Sequence, residues 1–189
     1  MGEEIKIIPP HGGYQKLKSY QMAEIAYDAT VKFCERFIDK RSRTVDQMVQ
    51  AARSGKQNIA EGSMASGTSK KTELKLVSVA RASLEELLLD YQDFLRQRGL
   101  QLWGKDDSRV QEIRKIGSLG DRSYVSYRTN IEDALPEVAA NTIICIVHQT
   151  NYLLDQQLRK LEQQFLKEGG FTEKLYNARQ DAKRKSSKD

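Results

Sequence analysis

Only two cysteines occur in the 189 residues, Cys34 and Cys145, far too few and too far apart for a disulfide framework. A reducing, cytoplasmic setting is the expectation. The longest apolar run, Ile143 to Val147, is five residues, so no segment is expected to span a membrane or to meet one as a partner. The opening "MGEEIKIIPP" is acidic with a short apolar patch, which does not suit a signal peptide. Three prolines, few β-branched runs and a mean hydropathy of -0.65 leave little room for a sheet protein and favour helices. Two histidines, His11 and His148, are too few for a histidine-rich metal site. No Glu-x-x-His pair occurs, which removes a di-iron bundle. Neither metal nor cofactor is expected.

One further absence decides a motif. Residues 62–69, "GSMASGTS", hold two glycines at phosphate-loop spacing, but Thr68 stands where the lysine belongs. The expectation is a corner, with Gly62 ending one helix as a left-handed cap and Ser66–Ser69 starting the next.

What is present is helical periodicity. Residues 1–13, with Pro9-Pro10 and Gly12-Gly13, read as an extended arm. Tyr20, Ala23, Tyr27, Thr30 or Val31, Cys34 and Phe37 make one face of a first long helix within 14–38. Val45, Met48, Val49, Ala52, Ile59 and Ala60 make a second from about Thr44. Gly55 interrupts that stripe, which suggests a close approach by a neighbour. The third helix, about Lys70 to Arg98, carries two adjacent stripes: Leu74, Val77, Leu84, Leu88, Tyr91 and Leu95, then Leu76, Ala80, Leu87 and Phe94. Their joint arc is about 160°, wider than a surface helix needs. Such a helix is either central in its own bundle or buried against another subunit, and on the second reading Leu76, Leu87 and Phe94 are the oligomer-interface residues. Trp103 anchors a linker over 99–120, and a short helix around 121–133 carries Tyr124, Tyr127 and Ile131.

Asp133 is the expected N-cap of a fourth long helix, with Pro136 in its first turn and Gly169-Gly170 as its stop. A final helix from Thr172 to about Lys183 runs into "KRKSSKD". The expected fold is all-α: an antiparallel up-and-down four-helix bundle over 14–168, with a short helix and basic tail over 169–189.

Chemistry is sparse. Cys145 and His148 are one turn apart, with Asn141 a turn before, but such triads are rarely assembled along one helix. No enzymatic activity is expected. Charge is more informative. Residues 36–56 hold six cations, Arg36, Lys40, Arg41, Arg43, Arg53 and Lys56, against Asp39 and Asp46. The last 19 residues hold six more, including Lys183, Arg184 and Lys185, against three acids. With Arg96 and Arg98, these are the candidate nucleic-acid-binding residues; a solvated surface is the alternative. "DRSYVSYRTN" mixes Arg122 and Arg128 with Tyr124 and Tyr127, a composition able to stack bases, although tyrosines covering a bundle explain it more simply.

Two stretches carry a resemblance. "QMVQAARSGKQNIAEG" (47–62) and "VARASLEEL" (79–87) resemble the signatures of the bacterial four-helix bundle proteins known as the 23S ribosomal RNA intervening-sequence protein family. The match rests on Gln47, Ser54, Asn58, Glu61, Gly62, Ser83 and Glu86, with the alanines and leucines between them. The two ends of the chain are similar to a longer subgroup, described as a four helix bundle suffix domain. The resemblance implies an antiparallel bundle, assembly as rings of five, and RNA as the favoured nucleic acid. A related accessory protein of diversity-generating retroelements binds a reverse transcriptase, which implies protein docking as the alternative function. Val49 and Gln50 replace the family's paired arginines, so contacts made through those arginines do not transfer.

Overall fold

A computed structural model describes residues 8, 10–118 and 123–186, apart from the side chains of Glu168, Lys185 and Ser186. Residues 1–7 of the expected arm, Arg122 and the end of the basic tail therefore lie outside the described residues, as does the side chain of Lys185. The described residues are all-α, without a strand. Four helices are long: α1 (Lys18–Phe37), α2 (Arg43–Ala65), α3 (Lys70–Gln97) and α5 (Pro136–Glu168). Two are shorter: α4 (Ser108–Ser118) and α6 (Phe171–Ser186). Among the described residues, no helix is long and apolar enough to cross a membrane.

Each long helix packs along two others, in the cyclic order α1, α2, α3, α5. Side-chain bonds fix the directions. Ser19 at the start of α1 donates to Gln157 late in α5 (2.8 Å), and Arg36 at its end donates to the carbonyls of Ile131 and Ala134, just before α5. Along the α3–α5 seam, Arg81 meets Asp155 and Asn151 donates to Glu85. In the interior, Phe33 of α1 stands edge-on to Tyr91 and Phe94 of α3, with ring centroids 4.9 and 4.8 Å apart. The buried Tyr91 hydroxyl donates to Thr30 Oγ1 (3.1 Å), which donates in turn to the Ala26 carbonyl (2.7 Å). Burial pushes the Tyr91 phenol well above its ordinary pKa, so it stays a donor.

Several boundaries differ from expectation for local reasons. Gly62 does not cap α2, which continues to Ala65; it is buried in the helix, where a Cβ would sit 3.4 Å from Leu76 Cβ and the Glu73 carbonyl. α2 and α3 are thus in close contact at this point, near the start of α3. Ser69 does cap α3, accepting from the Thr72 N–H (3.1 Å). Asp133 is not the N-cap of α5: Leu135 holds that extended position and Pro136 opens the helix. The short helix expected around 121–133 is a 3-10 turn, Tyr124–Tyr127, followed by a π turn, Thr129–Asp133.

The centre of the buried face of α1 is rotated from the expected stripe toward Met22, Ala26, Ala29 and Phe33, leaving Tyr20, Tyr27 and Phe37 at the margins. The interface reading on α3 is corrected for Leu87 and Phe94. Leu87 and Phe94 are 0% and 4% exposed within a single chain, and Leu76 is half-buried. The wide arc of α3 faces α2 on one side, α5 on the other and Phe33 between them. It needs no second subunit.

Gly55 tests this packing. A Cβ there would fall 2.7 Å from Cγ of the fully buried Leu84, which has no room to retreat. Gly55→Ala should therefore destabilise the protein by about 1–3 kcal/mol in urea unfolding, although alanine is the better helix former. Combined with Leu84→Ala, it should cost less than the sum of the two single changes, because the clash is then absent. A more stable Gly55→Ala variant would show that α2 and α3 are further apart.

Candidate nucleic-acid interface

The α1–α2 corner, residues 38–42, is short because Ser42 caps α2 by accepting from the Thr44 N–H (3.2 Å). Ile38, Asp39, Ser42 and Thr44 of this region share a hollow with Asp90, Asp93, Phe94 and Arg98 of α3. One end of the molecule thus carries Arg36, Lys40, Arg41 and Arg43 from the corner, with Arg96 and Arg98 from α3. The six differ in availability. Arg36 is committed to the two carbonyls before α5, with its guanidinium over the Phe37 ring (4.4 Å). Arg96 pairs with Asp93 (2.8 Å), and Arg98 lies 3.9 Å over the Phe94 ring. Lys40, Arg41 and Arg43 are exposed and make no ion pair among the described residues.

The remaining candidate cations are elsewhere. Lys56 lies over the Tyr27 ring (4.6 Å) within 3.9 Å of Glu24, and Arg53 is exposed on α2. Lys183 and Arg184 are exposed on α6, which begins at the opposite end, where Gly169, Phe171 and Lys174 share a hollow with Ser66–Lys70. The structure therefore does not gather the predicted set: six stand at one end, Arg53 and Lys56 lie midway along α2, and Lys183 and Arg184 are on α6. Sequence reasoning noted Asp39 beside the cations but not that Asp90 and Asp93 of α3 line the same end. Burial, together with Asp93 and Glu86, raises the Asp90 carboxyl above its ordinary pKa. The signal was present as "LEELLLDYQD", which places Glu86, Asp90 and Asp93 on one helical face.

The residues of the resemblance converge on the α2–α3 seam. Ser54 and Ser83 share a hydrogen bond across it (3.0 Å), and Asn58 bonds back to the Ser54 carbonyl (2.9 Å) and hydroxyl (3.1 Å). Asn58 does not cap a neighbouring helix, and Glu61 is exposed beside it. Gln47 and Glu86 line the groove outside the seam.

Other candidates have structural occupations. In "GSMASGTS", Ser66 donates to the Ser63 carbonyl (2.7 Å) and Ser63 to the Gly12 carbonyl (3.1 Å), so the corner is tied to itself and to the arm. Tyr127 is buried, and Tyr124 donates to Glu132 (2.9 Å). Cys145 is buried and its thiol is pushed up to about 11, which denies it thiolate character; the His148 pKa is lowered by the same burial. Among the described residues, no group of three side chains could hold a metal ion.

Asn141 is spent on the linker. Its Oδ1 accepts from the Trp103 N–H (2.9 Å), and its Nδ2 donates to the carbonyls of Gln101 (2.8 Å) and Glu137 (2.9 Å). Trp103 is buried, with Nε1 donating to Glu137 (3.1 Å). Asn141→Ala would leave a buried N–H without a partner, at a cost of about 1–3 kcal/mol. Since Trp103 is the single tryptophan, its emission should shift to the red in the native baseline. Unchanged emission and stability would show that the linker is held otherwise.

Comparison of the chain with protein-family models, with curated proteins and with solved structures finds no match in any of the three.

Proposed function

We propose that this chain is a non-enzymatic, self-assembling cytoplasmic scaffold that binds nucleic acid, RNA in the first instance. On this reading the four long helices form an antiparallel up-and-down four-helix bundle, as the bonds joining opposite ends of α1 and α5 favour. Homo-oligomerisation as a ring of five, and the preference for RNA, rest on the resemblance. The observation that carries the binding reading is the α1–α2 corner. Lys40, Arg41 and Arg43 are exposed there, without an ion pair among the described residues, on a turn capped by Ser42. Such cations neutralise phosphates without reading bases, so binding should show little sequence preference. The nearby Asp90 and Asp93 limit the attraction of one copy, and repetition in an oligomer would restore it through avidity.

The second reading is a module that docks a partner enzyme, such as a reverse transcriptase. Val79 and Leu89 favour it: both are apolar, exposed and on the outer face of α3.

Anisotropy titrations of single-stranded RNA, duplex RNA and DNA across a salt series separate the two. Arg41→Glu with Arg43→Glu should weaken RNA binding and reduce the log–log salt slope by about one for each lost phosphate contact. The helical content should not change. If none of the three nucleic acids binds at low salt, the docking reading replaces this one.

A further inference from the structure

Among the described residues, α6 meets the long helices at its start, where Phe171 and Lys174 share a hollow with Ser66–Lys70. No other described helix packs along it, yet its sequence is amphipathic: Phe171, Leu175, Ala178 and Ala182 recur at steps of four, three and four. At 100° per residue, Arg179 and Lys183 flank that stripe on one side and Lys174 on the other. Gly169, at φ +67°, breaks the chain between α5 and α6. A helix with an apolar face edged by cations calls for an apolar surface edged by acids.

The outer α2–α3 groove supplies the acids, and the exposed face of α3 beside it supplies the apolar residues. Ala51 and the bonded Ser54–Ser83 pair form its floor, while Asp46, Glu86 and Asp90 line it. None of the three carboxylates is in an ion pair among the described residues. Val79, Ala82 and Leu89 share the face of α3 that carries Glu86, and Leu89 is 56% exposed. Like charges crowded here oppose one another, and burial raises the Asp90 carboxyl further. A cationic occupant would relieve both effects.

We infer that α6 of one copy docks in the α2–α3 groove of a second copy, its apolar stripe over Val79, Ala82 and Leu89 and its cations against Glu86 and Asp90. The inference rests on the self-assembly part of the proposed function and supplies the contact. The groove of the same chain fits worse. Measured from the end shared with Lys70, Arg179 and Lys183 lie about 12 and 18 Å along α6, whereas Glu86 and Asp90 lie about 24 and 30 Å along α3. Both cations would fall about 12 Å short. A second copy is free to slide into register. Because groove and helix are different surfaces, the contact is head-to-tail and can close a ring.

Charge reversal on the full chain, read by light scattering at micromolar protein and low salt, tests this. Arg179→Glu with Lys183→Glu should weaken association at least tenfold, as should Glu86→Lys with Asp90→Lys. All four changes in one chain should restore the wild-type mass, because the reversed helix again faces a reversed groove. Circular dichroism checks that each variant folds. Assembly that survives either pair, or that the four changes together do not restore, would overturn this contact while self-assembly stands. A monomeric wild-type chain would overturn both.

Discussion

A phenol in the middle of the molecule constrains the rest. Tyr91 has no exposed surface, so its hydroxyl must find a partner inside, and leaving it unpaired would cost about 1–3 kcal/mol. Thr30 supplies the acceptor, and Thr30 has already given its own proton to the Ala26 carbonyl. The bond therefore has one direction and one register. Phe33, one turn further on, then lies edge-on to Tyr91 and Phe94, pairs each worth about 0.5–1.5 kcal/mol beyond burial. Once these rings meet, the C-terminal ends of α1 and α3 are at the same level. That is why Ile38, Ser42 and Arg98 share one hollow.

Much of the helical layout was legible in the sequence. The 3.6-residue stripes located the four long helices, Gly55 announced a close neighbour, and Ser69 and Pro136 marked helix starts. Trp103 proved to be the anchor of the linker. The failures were of one kind. An apolar arc shows how much of a helix is covered, not what covers it, so it left a second subunit open for Leu87 and Phe94 where two flanking helices and Phe33 suffice. A glycine near a serine-rich stretch looks like a cap, yet Gly62 serves helix contact and keeps helical φ. Three-dimensional neighbours decide such cases, and periodicity carries no information about them.

The candidate site was legible in part. Clusters of lysine and arginine along the chain identified the exposed corner at Lys40, Arg41 and Arg43. They did not show that Arg36 is used as a backbone clamp or that Lys56 is stacked on Tyr27. Nor did they show that the acids of α3 approach the same end while the cations of α6 start from the other. Charge in this protein is segregated, with an acidic groove along α2 and α3 and a basic helix after α5. Net charge of +5 conceals that division. The Tyr91 layer sets the level at which the corner cations and the α3 acids meet.

The most direct measurement of this arrangement is a set of nuclear Overhauser contacts among the aromatic rings in solution. The account predicts cross-peaks from the Phe33 ring to both the Tyr91 and Phe94 rings, whose centroids are within 5 Å of it, and a Tyr91 hydroxyl proton protected from exchange. Absence of the Phe33–Phe94 contact, with a rapidly exchanging Tyr91 hydroxyl, would contradict the shared level of α1 and α3 and with it the placement of the cationic end.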